Sequence, residues 1–447
     1  MLTKRWLTRR PLSNHPLSNY LSLNRPLIRR FTSRPYLIGL GVLLAACTPA
    51  KPDNRPPTVF AGDDRGIQAA EVSLSGAATD PDGDPLSVTW SQAGGPDGVT
   101  FTDKTAPQTT ATLPEVGTYT LELSATDGAT SVTDAVVMTL GTPLSPPTGI
   151  GIWKEQPPTS SARQEVSYVQ VGGLFYLAGG STLHEVYDPV ARTWRTLTPL
   201  PRNLDHIQGV TVGGLVYYLG GLAGWLGPQA NTVYIYDPEA DSFREGAPMP
   251  RGRGAGGVAV FDGKIYYAGG LYTEGIGESS STGAVTWFDV YDPVTDAWTE
   301  LPEMPRPRDH FHAAVLDGVF YAVGGRDAKI DATNAFVDAF DLETRTWTIL
   351  ATELPTERGG YASAVLGNEI LIFGGEGGGT FDTVEAFKPQ TNSWRALEPM
   401  PTARHGIQAA VCEGGVYIAA GGTKQGVGPS TVHEAFFFGE PTDCTAQ

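Results

Sequence analysis

Arg163, Arg253, Arg308 and Arg358 each stand sixteen residues before a Gly-Gly doublet, at Gly179, Gly269, Gly324 and Gly374, and Arg404 stands seventeen before Gly421. Leu204 holds the same place before the doublet at Gly220, and His206, His310 and His405 fall within two residues of it. A guanidinium presents a planar fork of donors that matches a carboxylate or phosphate, so arginines repeated at one position are candidates to bind an anion. His206, His310, His312 and His405 are candidate ligands for zinc or copper, although no tight spacing links them. Arg308 with Asp309 or Glu357 offers a carboxylate clamp beside an acid or base. The counting predicts five guanidinium groups converging on one mouth of a repeated structure, with the extra residue before Gly421 placed in the turn after Cys412.

The doublets themselves define the elements that position these residues. They follow apolar-aromatic runs and are separated by 41, 49, 55, 50 and 47 residues. Downstream of each, a second signature keeps a fixed interval: Asp188 to Trp194, Asp237 to Phe243, Asp292 to Trp298, Asp341 to Trp347 and Lys388 to Trp394 are all six apart. Between strand-like runs lie two-residue hairpin signals such as Val171-Gly-Gly, Phe261-Asp-Gly and Leu316-Asp-Gly. Each unit therefore reads as four strands, a to d, with Phe311 to Leu316 an example of strand a and Phe336 to Asp341 of strand c. The sixth doublet has a strand c at Glu434 to Phe438 but no Trp after it; Trp153, in Ile150-Gly-Ile-Trp-Lys-Glu, predicts a strand d supplied by the N-terminal end of the repeat.

These units resemble Kelch motifs over residues 150–439, and the resemblance implies an all-β, six-bladed propeller closed by Trp153. It also implies that Arg at the repeated position bonds loop carbonyls, a structural role set against the ligand-binding one. Two function classes follow. The first is a non-enzymatic binding or adhesion scaffold, since no catalytic signature stands out, using the face that carries the d-a and b-c connections; the partner is a protein or a glycan, anionic if the arginines bind it. The alternative is a carbohydrate-active propeller similar to a sialic acid mutarotase. A copper radical oxidase fits poorly, because it needs a Tyr-Cys crosslink at the site and Cys412 lies at the far end of strand a.

Residues 56–141 form a separate unit between a polar tether (47–55) and a Pro-rich linker (142–149). Val72 to Ser75, Leu86 to Trp90, Gly117 to Ala125 and Ala135 to Leu140 alternate as half-buried strands do, with Trp90 and Tyr119 as core anchors. The stretch from Ala78 to Pro85, together with Tyr119 to Asp127, resembles the PKD and REJ-type Ig-like modules, which implies a β-sandwich used for spacing or weak adhesion. Asp80, Asp82 and Asp84 are a candidate Ca2+ loop, although no distal Glu stands at EF-hand spacing; a solvated turn is the alternative. No other cofactor is expected.

Residues 1–46 carry eight Lys or Arg and no Asp or Glu, and end in the apolar run Tyr36 to Ala46, too short to span a bilayer. Leu44-Ala-Ala-Cys47 resembles a bacterial lipobox, which implies a signal peptide over 1–46, acylation of Cys47 and a lipid-anchored, extracytoplasmic chain. With Thr48 after the Cys, the outer membrane or cell surface is the expected location in a Gram-negative host. Taking the +8 of residues 1–46 from the overall −17 leaves −25, which repels nucleic acid and anionic surfaces. With Cys47 acylated, Cys412 and Cys444 remain as a pair for a disulfide stapling the 440–447 tail. A monomer is expected.

Overall fold

A computed structural model describes the chain from Asn54 onward, except residues 63–64, 68–69, 141–147, 225–226, 275–280, 413, 441–443 and 445–447. The expected signal peptide, Cys47, most of the tether and most of the linker lie outside the described residues. Among the described residues no helix is long and apolar enough to cross a membrane.

The first unit is a sandwich. One sheet orders Arg65–Ile67, Ser131–Leu140, Gly117–Thr126 and Ser87–Gly94; the other orders Glu71–Ser75, Gln108–Thr112 and Thr100–Phe101. Period-2 alternation puts Tyr119, Leu121, Leu123 and Ala125 inside on the long strand, against Trp90, Leu74 and Val136. The two polar tips of the core are satisfied: Trp90 Nε1 donates to Pro107 O at 3.1 Å, and the Tyr119 hydroxyl donates to Glu115 O.

The second unit is a propeller of six four-stranded sheets. Blade one orders Ser167–Val171, Leu174–Ala178, Glu185–Asp188 and Thr193–Thr196 as strands a to d. In blade six, strands a to c are Ala409–Cys412, Gly415–Ala419 and His433–Phe437, and strand d is Ile152–Glu155, in register Trp153 to Phe436. N-terminal and C-terminal strands thus share one sheet, and closing the ring this way leaves no blade missing its outer strand.

Three local devices make each blade. In blades one to four the a-b turns place two residues at positive φ, as at Gly172 (56°) and Gly173 (81°) or Asp262 (50°) and Gly263 (67°), the geometry whose twist matches the flanking strands. At the end of strand c, Asp188, Asp237, Asp292 and Asp341 each accept two amide hydrogens of the c-d turn, which fixes its length and hence the six-residue interval to the aromatic. The aromatic then reaches the previous blade. The indoles of Trp153, Trp194, Trp298, Trp347 and Trp394 donate to Glu398 O, Pro157 O, Ala247 O, Pro302 O and Thr352 Oγ1, in or just beyond the preceding strand d. Phe243 of blade two fills the same place without a donor.

Two readings of the repeat change. The turn after Cys412 is two residues long like the others, with Cys412 opposite Gly415. The offset of Arg404 arises instead because the structural counterpart of the doublet in blade six is Ala420-Gly421: Gly421 N donates to Arg163 O as Gly325 N does to Arg358 O and Gly375 N to Arg404 O. Ala420 occupies the first position at φ 61°, which a small L-residue tolerates, whereas in blades two to six the second position lies near 100° and belongs to glycine. In addition, strand a begins later than the residue pattern suggests, at Ala313 in blade four, so the repeated arginines precede it in the d-a connection.

Cys412 and Cys444 form a disulfide with Cα atoms 5.5 Å apart, packed among Phe175, Tyr417 and Phe437.

Candidate functional site

The five arginines turn into their own blades. Arg253, Arg308, Arg358 and Arg404 are fully buried and Arg163 nearly so. Each meets a carboxylate at the start of strand c: Glu185 for Arg163, Asp289 for Arg253, Asp338 for Arg308, Glu385 for Arg358 and Glu434 for Arg404. The remaining N–H groups go to backbone carbonyls, for example Arg253 to Gly269 O at 2.7 Å and Tyr267 O at 3.0 Å, and Arg308 to Ala322 O and Gly324 O. Burial pulls these guanidinium pKa values down, opposed by the paired acids. Blade two replaces both members of the pair at once, with Leu204 and Tyr234 packed in one apolar cluster. The arginines therefore do not converge on the channel mouth, and an anionic ligand finds no guanidinium ring there; they join strands b and c under the d-a connection. Glu357, paired with Arg308 in the acid/base reading, is exposed while Arg308 is sealed on Asp338.

The axis is lined instead by the residue two places further on: Glu165, His206, Ala255, His310, Gly360 and Gly406. All six sit at positive φ, between 51° and 66°. That conformation aims each amide at the preceding blade, giving His206 N to Glu165 O, Ala255 N to His206 O, His310 N to Ala255 O, Gly360 N to His310 O and Gly406 N to Gly360 O. Val166 N to Gly406 O closes the circle. Sequence counting placed the histidines beside the repeated position but could not show that His206 and His310 face the axis while Arg308 faces away.

Around this ring lies a buried polar network. His310 Nδ1 bonds Asp309 Oδ1, and its Nε2 accepts from Arg326 at 2.7 Å, which fixes the neutral tautomer with its proton toward Asp309. Arg326 also donates to Glu376 at 2.6 Å and to Asp309 at 3.4 Å. Glu165 Oε2 lies 3.5 Å from His206 Nε2, and Glu165 Oε1 lies 3.5 Å from His405 Nδ1. His405 Nε2 donates to Lys424 O at 2.9 Å. Burial alone would lower the His405 pKa, but Glu165 and Glu376 outweigh it and hold it above the usual value. Burial, reinforced by Arg326, lowers His310 to about 4, and burial lowers His312 to about 4. Burial likewise opposes ionisation of Glu165, yet His206, His405 and His310 hold its pKa well below the carboxylate range. His310 and His312 do not alternate on a strand, because His310 is left-handed and both precede Ala313; both nonetheless line the axial chamber. Arg326, Glu165 and Glu376 do not repeat from blade to blade, so nothing in the spacing pointed to them.

The b-c connections cover this network. In blade six, Gly422–Lys424 pairs with Val427–Pro429 as a hairpin over the axis: Gly426 N donates to Glu376 at 2.7 Å, and Gln164 Nε2 donates to Gly426 O at 3.2 Å. The chamber left beneath measures about 20 Å3 and is lined by Glu165, His206, His310 and His312 among others. A water needs roughly 10–15 Å3 on this measure, so a single water or ion fits and a sugar ring does not. In blade three the Gly/Ser-rich connection forms a second hairpin, Leu271–Glu274 with Ser281–Ala284, whose tip lies outside the described residues.

The acidic turn of the sandwich is braced by its own hydrogen bonds. Asp80 Oδ1 accepts from Asp82 N and Asp84 N at 2.8 and 3.0 Å, and Asp82 receives the Arg55 backbone amide and guanidinium, both at 2.7 Å.

Both units are similar to known protein families. Residues 277–435 match the KLHDC2/KLHL20/DRC7 Kelch-repeats domain, residues 208–250 the Kelch motif, and residues 61–140 a PKD domain. The Kelch-like protein terF of Aspergillus terreus is 30% identical over 295 residues, covering 61% of this chain and 64% of that protein. Kelch-like protein 36 of Bos taurus is 29% identical over 153 residues, 33% of this chain and 25% of that protein. The chain thus spans less than two thirds of these relatives' own length. Among solved structures, YjhT aligns with a TM-score of 0.55 and 16% identity, over 65% of this chain and 99% of that one, a likeness of fold.

Proposed function

We propose that this chain of Kelch repeats with a PKD-type domain ahead of them is a non-catalytic binding scaffold. It meets a protein or glycan partner with the d-a/b-c face of the propeller. One observation carries this reading: the axial mouth on that face is occupied by a bonded network under the blade-six hairpin, with about 20 Å3 left, so the outer loops are what the face offers. The Kelch-like repeats, of a kind that commonly mediates protein binding, support a protein partner. The two added hairpins, in blades three and six, are the segments best placed to make it. A carbohydrate-active propeller similar to a mutarotase would have to swing the Gly422–Pro429 hairpin aside to admit a monosaccharide.

The test is hydrogen exchange on the chain with and without a captured partner. Protection should fall on Leu271–Glu274, Ser281–Ala284 and Gly422–Pro429; protection confined to the a-b and c-d turns would refute the assignment of the face. Anomerisation of sialic acid, followed by NMR, should proceed at the uncatalysed rate, and acceleration would favour the enzyme instead.

We also propose the extracytoplasmic, lipid-anchored location, carried by Leu44 to Cys47 and the basic segment before them. Two or three acyl chains hold a protein on a membrane durably, at about 0.8 kcal/mol per buried CH2. Radioactive palmitate should label the chain, and Cys47→Ser should abolish the label.

A further inference from the structure

We propose that Glu165, His206 and His310 form a binding site for one divalent transition metal of the zinc, nickel or copper class at the propeller axis. One ligand atom from each of the three lies within 4.8 Å of the others, and all three residues are buried. Two imidazoles and a carboxylate are a donor set that suits these ions. The 3.5 Å between Glu165 Oε2 and His206 Nε2 is too long for a hydrogen bond but close to the edge of a tetrahedral site, about 3.4 Å for bonds of about 2.1 Å. The chamber of about 20 Å3, which His310 also lines, has room for the ion and little else.

Three further features agree. Asp309 accepts the Nδ1 proton of His310, which turns the Nε2 lone pair inward, the arrangement by which a carboxylate orients a metal-binding imidazole. That lone pair now accepts from Arg326, which on metal binding keeps Glu376 and Asp309 and releases His310. The charge balance favours a cation: of three buried carboxylates, Asp309 and Glu376 share the guanidinium of Arg326, and Glu165 faces the imidazoles of His206 and His405. Finally, the axial position is left-handed in every blade, a conformation that suits Gly360 and Gly406; blades one, two and four accept it with Glu165, His206 and His310, whose side chains meet. Strain of this kind gathers at functional sites.

The proposal stands independently of the partner-binding reading, because the site lies beneath the loops. The experiment uses the full chain, purified without a polyhistidine tag, stripped with chelator and titrated with Co2+ and Zn2+. The expected result is one equivalent bound, with visible Co2+ bands of the intensity of a tetrahedral site, displaced by Zn2+. Glu165→Gln, which keeps the side chain's shape, should lose the bands, and Asp309→Asn should weaken affinity roughly 10- to 100-fold. Fewer than about 0.1 equivalents in the unaltered chain would overturn the proposal, a readout that needs no variant to fold. Binding that persists unchanged in Glu165→Gln and in His206→Gln would overturn it too, by placing the metal elsewhere.

Discussion

Replacing Arg358 by Leu tests whether the buried arginine-acid pairs are self-contained units. Arg358 is fully buried and its guanidinium bonds Glu385, Thr356 O at 2.8 Å and Ile372 O at 3.5 Å. Removing it leaves the Glu385 carboxylate, 6% exposed, with only the Thr356 hydroxyl at 3.0 Å among the described residues. Breaking a buried pair in this way costs about 3–5 kcal/mol, because the orphaned charge stays out of water. Blade two shows the remedy, since Leu204 and Tyr234 occupy the two positions together. Arg358→Leu with Glu385→Tyr should therefore cost only about 1–2 kcal/mol, about 1–4 kcal/mol less than Arg358→Leu alone. Urea unfolding followed by tryptophan emission reads this well, as five indoles lie between blades. With a slope of about 3 kcal/mol/M, Arg358→Leu should shift the midpoint by more than about 1 M and the double variant by well under that. A double variant no more stable than Arg358→Leu would refute the reasoning and tie the arginine to something beyond its acid.

Deleting residues 150–157 should lower the melting temperature and make His433–Phe437 a site of proteolysis, because it strips strand d from blade six; an unchanged melting temperature would mean that the ring closes otherwise. Gly221→Ala should destabilise by about 2 kcal/mol or more, since φ is +99° and a Cβ would sit 2.8 Å from Asp205 O, whereas Ala420→Gly should cost under about 1 kcal/mol by urea titration. His184, just before strand c of blade one, and His433, the first residue of strand c of blade six, are neutral imidazoles, donating from Nδ1 to Thr198 O and Pro157 O and accepting at Nε2 from Tyr218 and Tyr168. Burial depresses them to about 4 and about 3, outweighing Asp241 beside His184 and reinforced by Arg163 there and Arg404 and Arg192 near His433. Their contribution is complete above the unfolded pKa of about 6.5 and is lost as pH falls from there toward the folded values, about 3 kcal/mol for His184. Stability measured between pH 7 and 4 should fall more steeply in the unaltered chain than in His184→Gln.

Blade number was legible because its markers are enforced locally: a Gly at φ near 100°, an Asp bonding two amides of the c-d turn, and an indole donating across the gap between blades. Ala420 escaped the count because its position demands only a small left-handed residue, and the neighbouring Gly422 completed a false doublet. The arginines showed their position but not their direction. Their acids stand 22, 36, 30, 27 and 30 residues downstream, at intervals blurred by b-c loops of different length. The legible clue was the joint substitution of Leu204 and Tyr234. Glu165, Arg326 and Glu376 left no such trace, since the ring brings together single residues from blades one, four and five.

The N-terminal strand of blade six has a mechanical consequence. A tension applied ahead of Gly149 enters the propeller at the carbonyls of Gly149 and Ile150, bonded by Arg395 at 2.6 Å and Glu398 at 2.7 Å, and then at the four register pairs from Ile152 to Glu155. If the chain is tethered at that end while a partner pulls on the opposite loops, this short strand is the fuse of the assembly. Its rupture would bare the edge of His433–Phe437, turning a mechanical event into an exposed strand ready to pair with another chain.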